Sequence, residues 1–310
     1  MENKNIVITG GLGFIGSHIT EELIDKNKIT IIDNLSSGKI ENLTNPDHEN
    51  LTLIKGDINT LNLKEILKNT EYVFHLAALA SVPVSVEKPL FSHENNLNGT
   101  VKLIIAAKEN NVKKIVFSSS AAVYGENPNT PLKESEPYMP MSPYASQKAS
   151  CELYLKSFYE SYGLNSVSLR YFNVFGPKQD VNSSYAAVIP NFISAILNNK
   201  QPTIYGDGEQ TRDFIYVKDI AKANIAACES DYNGILNIAS GNGLSVNQLY
   251  EIISEVLETD IKPNYVEERL GDIKHSLADV TNIKNINFKV NPNLFKDQLK
   301  ETVKWFKNNL

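Results

Sequence analysis

The sequence predicts an α/β fold, a doubly wound parallel sheet with a smaller mixed α/β substrate domain. Two features of the first half predict the sheet. Short runs rich in β-branched residues alternate with helical patterns, as crossover connections between parallel strands require. A glycine-rich turn, Gly10 to Gly16, joins the first such run to the first helical pattern. A third feature predicts the second domain: from Tyr171 onward the pattern loosens into loops rich in Asn, Gly, Pro and Ser.

Taken in order, Ile6-Val7-Ile8-Thr9 reads as a buried strand, after which Ile15, Ile19 and Leu23 recur at helical spacing. Ile29 to Asp33 is a second strand and Leu51 to Gly56 a third. Tyr72 to Leu76, Ile115 to Phe117 and Ser166 to Leu169 continue the series. Leu63/Ile66/Leu67 and Val101 to Lys108 are helical patterns between them. The helix after Pro143 is marked at both ends: Ser142 suits the N-cap, Pro143 the first turn and Gly163 the stop. Its Tyr154, Phe158 and Tyr162 form an aromatic stripe that reads as core or subunit packing. Later, Thr203 to Gly208 and Arg212 to Val217 read as strands around a turn. Gln248 to Leu257 and Phe295 to Asn308 read as helices.

The 310 residues suffice for a large core and two domains. Thirty basic against 36 acidic residues give a net charge of -6 with no basic stripe, which argues against nucleic acid or a membrane surface as partner. No apolar run approaches the ~18 residues of a membrane span, and Met1 to Ile6 carries no apolar targeting segment. Cys151 and Cys228 fit no metal-ligand spacing, so no metal is expected and both read as buried thiols of a reducing cytoplasm.

Gly10-Gly11-Leu12-Gly13-Phe14-Ile15-Gly16 follows a strand and opens a helix, the context a dinucleotide fingerprint needs. Glycines at 10, 13 and 16 allow a tight turn, approach of a pyrophosphate to the helix N-terminus, and close packing of helix on sheet. An ordinary glycine-rich turn would look the same, and Asp33 decides between the two. It ends the next strand, 17 residues beyond Gly16, where a carboxylate accepts hydrogen bonds from both adenosine ribose hydroxyls and repels a 2′-phosphate. The cofactor expected is therefore NAD. Asp57, at the end of the third strand, is a candidate for the adenine. His75, inside a strand, reads as a packed core residue without chemistry.

Tyr144 and Lys148 lie four residues apart at the head of the Pro143 helix, hence on one face. An ammonium beside a phenol favours the phenolate, turning a group that titrates near ~10 into a base usable near neutrality. Tyr-x-x-x-Lys arises by chance in many helices; the serine run ending at Ser120 gives it weight. That run follows the fifth strand, whose carboxyl end faces the ligand crevice in a doubly wound sheet. At least one of these hydroxyls is expected to hydrogen-bond the reacting hydroxyl.

Several motifs now stand together. They are Gly10-x-x-Gly13-x-x-Gly16, Asp33-Asn34, Gly56-Asp57-Ile58, His75-Leu76-Ala77-Ala78, Ser118 to Gly125, Tyr144-x-x-x-Lys148 and Arg170-Tyr171-Phe172-Asn173-Val174-Phe175-Gly176. With them the chain resembles, over nearly its whole length, the extended short-chain dehydrogenase/reductase superfamily. Within it the resemblance is to the UDP-glucose/UDP-N-acetylglucosamine 4-epimerase group. It implies an NAD-binding Rossmann domain over 1–170, with about 212–238 returning to it, and a UDP-sugar-binding domain over 171–211 and 239–310. It implies Tyr144 as the base, Lys148 as the residue that binds nicotinamide ribose and lowers the tyrosine pKa, and Ser120 as the bridge to the sugar O4. NAD contacts are implied for Gly10, Gly13, Phe14, Ile15, Gly16, Asp33, Asn34, Asp57, Ile58, Leu76, Ala77, Ala78, Asn96, Tyr144, Lys148 and Tyr171. UDP-sugar contacts are implied for Ser81, Val82, Ser120, Asn173, Val188, Ile204, Tyr205, Arg212, Arg269, Asp272 and Ser276. Arg212 and Arg269 match two arginines that clamp the diphosphate; each alone reads equally as a solvated surface charge.

The reaction implied is C4 epimerisation through a transient 4-keto sugar, with NAD recycled in place. Related 4,6-dehydratases carry Asp-Glu directly after the threonine that replaces Ser120, and the decarboxylases keep the glutamate. Ala121 and Ala122 stand there in this chain, which favours simple epimerisation. Ser276 falls where epimerases restricted to plain sugars carry tyrosine, so it leaves room for an N-acetyl group. The stretch Lys178 to Pro190 and the run Ser81 to Ser85 also resemble N-acetyl-accepting epimerases. UDP-GlcNAc/UDP-GalNAc interconversion is therefore expected first, and UDP-Glc/UDP-Gal beside it. A UDP-uronic acid 4-epimerase stays open through the position of Lys274. So does a non-catalytic NAD-binding module, which would have no need of Ser120, Tyr144 and Lys148 together. A homodimer is implied by relatives that pair the helices at 101–110 and 144–162.

Overall fold

The β-branched runs become strands, and the glycine and proline breaks become the turns between them. The computed structural model describes residues 1–180, 187–268 and 273–309. Strand β1 (Asn5–Thr9) passes through the glycine turn into helix α1 (Phe14–Leu23). Next come β2 (Lys28–Asp33), β3 (Leu51–Lys55), α2 (Leu63–Ile66) and β4 (Tyr72–His75). Short helices α3 (Val82–Glu87) and α4 (Pro89–His93) and a π-helical turn at Glu94–Asn98 lead into α5 (Gly99–Glu109). Strand β5 (Lys114–Ser120), α6 (Pro143–Tyr162) and β6 (Ser166–Tyr171) follow. The remainder holds β7 (Asn173–Phe175), α7 (Val188–Leu197), β8 (Thr203–Tyr205), β9 (Thr211–Tyr216), α8 (Val217–Glu229) and β10 (Gly234–Ile238). It ends with β11 (Gly243–Ser245), α9 (Val246–Leu257), β12 (Asn264–Val266), β13 (His275–Ser276) and α10 (Phe295–Asn309).

Among the described residues, seven strands pair in parallel in the order β10-β6-β5-β4-β1-β2-β3. The chain steps outward from β1 to β3, then returns to lay β4 on the other side of β1. The order therefore reverses between β1 and β4, which opens a crevice at their carboxyl ends. Ile19 and Leu23 of α1 and Ile220 and Ala223 of α8 pack on one face; Leu103 and Ile104 of α5 and Cys151 and Leu155 of α6 pack on the other. Strands covered on both faces need continuous apolar runs, which is why Ile6-Val7-Ile8 and Ile115-Val116-Phe117 do not alternate.

A smaller body carries β7, β9, β11 and β13 in one sheet and pairs β8 with β12. Its core joins Phe192 of α7, Ile253 of α9 and Val303 and Phe306 of α10. Three local differences from the sequence reading stand out. The segment beginning at 212 was expected to return to the first body; β9 pairs with β7, β11 and β13 while its Ile215 joins the large-sheet core together with α8 and β10. The serines at 118–120 end β5 itself instead of following it. Helices α3 and α4 are too short for a helical periodicity to mark them, and α7, whose Ile189, Phe192, Ile193 and Ile196 do recur at helical spacing, was read only as a sugar-nucleotide segment.

A buried ionic network ties α6 to the sheet. Arg170 on β6 and Glu152 on α6 have side chains 1% and 0% exposed and pair through Nη2 at 2.7 Å and Nε at 3.0 Å. Glu152 also accepts from the hydroxyls of Ser119 and of Tyr138, the latter at 2.8 Å. Glu152→Ala should leave the Arg170 charge buried without its carboxylate and cost about 3–5 kcal/mol. A denaturant midpoint close to that of the wild type would refute this. The double change Glu152→Leu with Arg170→Met should cost much less.

His75 is buried at the end of β4, its Nδ1 2.7 Å from Thr9 Oγ1 on β1 and its Nε2 2.8 Å from Thr100 Oγ1 on α5. Burial depresses its pKa from 6.5 to about 3, and that of His18 to about 4. The unfolded chain therefore binds more protons below 6.5, so this contribution is whole above pH 6.5 and lost as pH falls toward 3. Stability should decline over that window by up to about 1.4 kcal/mol per unit for each proton. Chemical denaturation of His75→Leu across pH 4 to 7 should show a shallower slope.

Candidate active site

The nucleotide crevice is built by the turn after β1. Gly10 adopts φ +69°, and a Cβ there would sit 2.8 Å from the Ala77 amide nitrogen. A Cβ on Gly16 would meet the Gly10 carbonyl oxygen at 2.1 Å, so only glycine lets α1 start this close to the strand end. Asp33 is oriented by two amides: Leu12 N–H donates to Oδ2 at 3.1 Å and Leu35 N–H to Oδ1 at 2.9 Å. These groups open onto a cleft of about 380 Å³ lined also by Gly13, Asn34, Asp57, Ile58, Leu76, Ala77 and Ala78. A backbone cradle closed by glycine and faced by an acid at the end of the second strand fits a dinucleotide, and fits NAD in particular.

The side chains of four other residues expected at the cofactor are engaged within the protein. The Phe14 side chain packs against the core of the smaller body, and that of Ile15 against both cores. Asn96 is buried with its amide used inside the protein: Oδ1 accepts from Leu79 N–H at 2.7 Å, and Nδ2 donates to Gln147 Oε1 at 2.8 Å. It fixes the turn beside the cleft. Tyr171 gives its hydroxyl to Asn224 Oδ1 at 2.8 Å, also within the protein. Ser36, Ser37 and Leu79, which the sequence reading missed, line the cleft. The signal for the two serines was their place directly after Asp33-Asn34-Leu35, and that for Leu79 its place directly after Leu76-Ala77-Ala78.

Tyr144, Lys148 and Ser120 converge at the end of β5. Ser142 caps α6 by accepting Ala145 N–H at 3.2 Å, which sets Tyr144 in the first turn. Ser120 lies close enough to the Tyr144 phenol to influence its titration, and Ser120 Oγ accepts Ala122 N–H at 3.2 Å. Lys148 Nζ donates to the Ser118 carbonyl at 2.6 Å and lies 5.8 Å from the centre of the Tyr144 ring. Burial pushes the Tyr144 phenol above its ordinary value, and the neighbouring Ser120 hydroxyl opposes that shift. Burial also brings Lys148 down from 10.5 to about 8. The sequence reading weighed the ammonium's pull on the phenol and not the desolvation of both groups.

A second cleft of about 520 Å³ opens in the smaller body. Val82, Asn173, Val188, Ile204, Tyr205 and Arg212 line it, six of the residues expected at a sugar nucleotide. Arg212 Nη1 donates to the Thr211 carbonyl at 2.9 Å, and Asn173 Nδ2 to the Asp213 carbonyl at 3.2 Å. Ser276 pairs with Arg212 in the register of β13 on β9. Ser81 caps α3 through Val84 N–H at 3.3 Å. Arg269 and Asp272, and the residues at 181–186, lie outside the described residues. Gln210 and Phe214 also line this cleft and were not anticipated. Leu79 of the first cleft and Val82 of the second are three residues apart in the segment that enters α3.

Comparison with known proteins gives the family. Residues 6–239 match the NAD dependent epimerase/dehydratase family. A solved UDP-N-acetylglucosamine 4-epimerase from Methanobrevibacter ruminantium M1, in complex with UDP-N-acetylmuramic acid, is 67% identical, with both chains fully covered and a TM-score of 0.99. A UDP-glucose 4-epimerase of Thermotoga maritima, solved with UDP-glucose, is 39% identical over 98% of this chain and 99% of its own, with a TM-score of 0.93. The UDP-glucose 4-epimerase of Mycolicibacterium smegmatis is 34% identical over 97% of this chain and 98% of its own. With the glycine cradle, Asp33 and the Ser120–Tyr144–Lys148 cluster in place, the chain belongs to the NAD dependent epimerase/dehydratase family.

Proposed function

We propose that this protein is a UDP-hexose 4-epimerase working with bound NAD, chiefly on UDP-N-acetylglucosamine and UDP-N-acetylgalactosamine and also on UDP-glucose and UDP-galactose. The observation that carries this reading is a tyrosine-lysine-serine cluster at the sheet's carboxyl edge, followed by Ala121 and Ala122 instead of carboxylates. Elimination and decarboxylation need an extra acid or base at that place, and epimerisation does not. The solved relative at 67% identity, a UDP-N-acetylglucosamine 4-epimerase, supports the acetylated substrate.

NAD, when bound under Gly10 and Asp33, supplies a hydride acceptor that gives the hydride back. Tyr144 Oη takes the proton from the sugar 4-hydroxyl while Ser120 Oγ holds that hydroxyl in line. The Lys148 ammonium, carried by the Ser118 carbonyl, favours the phenolate and thus the departure of the proton. Asn173, Arg212 and Arg269 hold the diphosphate, Val188, Ile204 and Tyr205 the uracil, and Ser276 leaves space beside C2. With the nucleotide held, the 4-keto sugar turns its other face, and Tyr144 Oη returns the proton.

The large-sheet body is the NAD unit and the smaller body the sugar-nucleotide unit in this reading. A homodimer is supported by apolar side chains left exposed on helices of one side, including Ile105 of α5 and Leu153, Tyr154, Tyr159 and Tyr162 of α6. Among the described residues no helix is long and apolar enough to cross a membrane. The two cysteines are buried free thiols, which supports the cytoplasm as the place of action.

Purified protein incubated with UDP-N-acetylglucosamine should form the C4 epimer, and Tyr144→Phe should keep fold and NAD while losing about 10²–10⁴-fold in turnover. No epimer from UDP-N-acetylglucosamine, UDP-glucose or UDP-glucuronate, with NAD supplied, would overturn the reading. Ser276→Tyr should lower kcat/KM for UDP-N-acetylglucosamine roughly tenfold more than for UDP-glucose. Equal losses would show that residue 276 does not gate the acetamido group.

A further inference from the structure

The first amides of a helix have no partner within it. At the head of α6, Pro143 has no N–H to offer, Ala145 N–H donates to Ser142 Oγ, and Ser146 N–H donates to the Ser142 carbonyl at 3.0 Å. The amide of Tyr144 goes elsewhere: it donates at 3.1 Å to Ser85 Oγ, 59 residues earlier in the chain. Ser85 is fully buried on α3, and its own hydroxyl proton goes to the Val82 carbonyl at 2.6 Å. A hydroxyl has one proton to give and accepts others, so this side chain is engaged in both senses. It joins the first turn of α3, where Ser81 is the cap and Val82 lines the second cleft, to the first turn of the helix that carries the base.

We propose that Ser85 is a positioning residue for the epimerase reaction, a cap supplied by the sugar-side helix that fixes where the Tyr144 phenol stands relative to Ser120 and to the sugar. The inference rests on the function proposed above. Its physical basis is the cost of the alternative. Without the hydroxyl, a buried amide on Tyr144 itself has no acceptor, and the chain relieves this by moving the first turn of α6. Amide and phenol belong to one residue, so any such movement reaches the reacting oxygen undiluted. A misplacement of about 1 Å is enough to lower turnover by about a hundredfold. A serine needed only for α3 would leave turnover unaffected when α3 still folds.

The test compares wild type, Ser85→Ala and Ser85→Cys as NAD-loaded enzymes, assayed with UDP-N-acetylglucosamine. Ser85→Ala should lower kcat about ten- to a hundredfold with KM changed less than about threefold, at unchanged NAD content. Ser85→Cys, close in size but weaker in both hydrogen bonds, should fall between the two. Turnover of folded Ser85→Ala equal to wild type, or a loss confined to KM or to thermal stability, would overturn the proposal. If Ser85→Ala does not fold, an undiminished kcat in Ser85→Cys overturns it and a partial loss supports it. A wild type inactive on every UDP-sugar removes the functional reading and this inference together. An active wild type with a normal Ser85→Ala removes this inference alone.

Discussion

How α6 is seated against the end of β5 governs the whole site, and a buried carboxylate sets that seating. Tyr144, Lys148 and Glu152 follow one another at a stride of four, on a single stripe of the helix. That stripe meets three consecutive serines. The phenol of Tyr144 lies beside Ser120, Lys148 donates to the Ser118 carbonyl, and Glu152 accepts from the Ser119 hydroxyl. Arg170 holds the other side of Glu152, with its guanidinium carbon 4.6 Å from the centre of the Tyr124 ring and 5.0 Å from that of Tyr138. Apolar residues would press the helix down as firmly, yet they would let it slide. A slip of one turn here would leave a buried arginine without its carboxylate, so the charge pair fixes the register more than the stability.

The same burial that fixes the geometry works against the charges the chemistry needs. Desolvation raises Tyr144 and lowers Lys148 to about 8, so it works against both ions, although the lysine remains mostly an ammonium near pH 7. A phenolate beside an ammonium must then be held by specific partners. The Ser118 carbonyl favours the charged lysine, and the Ser120 hydroxyl favours the charged tyrosine. In the proposed reaction the proton on Tyr144 would therefore move once the hydrogen-bonding frame is complete, which would couple the acid-base step to correct seating of the sugar hydroxyl.

The elements that repeat a strong local pattern were legible in the sequence. Ile6 to Thr9, the glycine turn and Asp33 announce themselves because strand, turn and acid are each a local requirement. The helix from Pro143 to Tyr162 was bounded correctly because Ser142 caps it and Gly163 stops it at φ +71°. What the sequence did not carry depends on the assembled fold. Nothing near Glu152 or Arg170 marks them as partners, since they meet only when β6 lies beside β5. Ser85 looks like any helix serine until α6 delivers the Tyr144 amide to it. Asn96 and Tyr171 match motif positions, but burial commits their polar atoms to Leu79, Gln147 and Asn224.

The capacity of Ser120 narrows what the site can do. Its oxygen has two acceptor positions and one proton. The Ala122 amide takes one acceptor position, leaving one to receive and one proton to give. That is enough to bridge a phenol and a sugar hydroxyl in one hydrogen-bonded chain, and no more. A reaction asking this serine to serve a third group at the same time would have to break the Ala122 bond and unwind the turn at Ala121–Tyr124. With no carboxylate at Ala121 or Ala122 to take such a role, the chain is fitted to pass one proton to and fro between one hydroxyl and one phenol. A redox-neutral inversion at a single carbon requires that much and nothing beyond it.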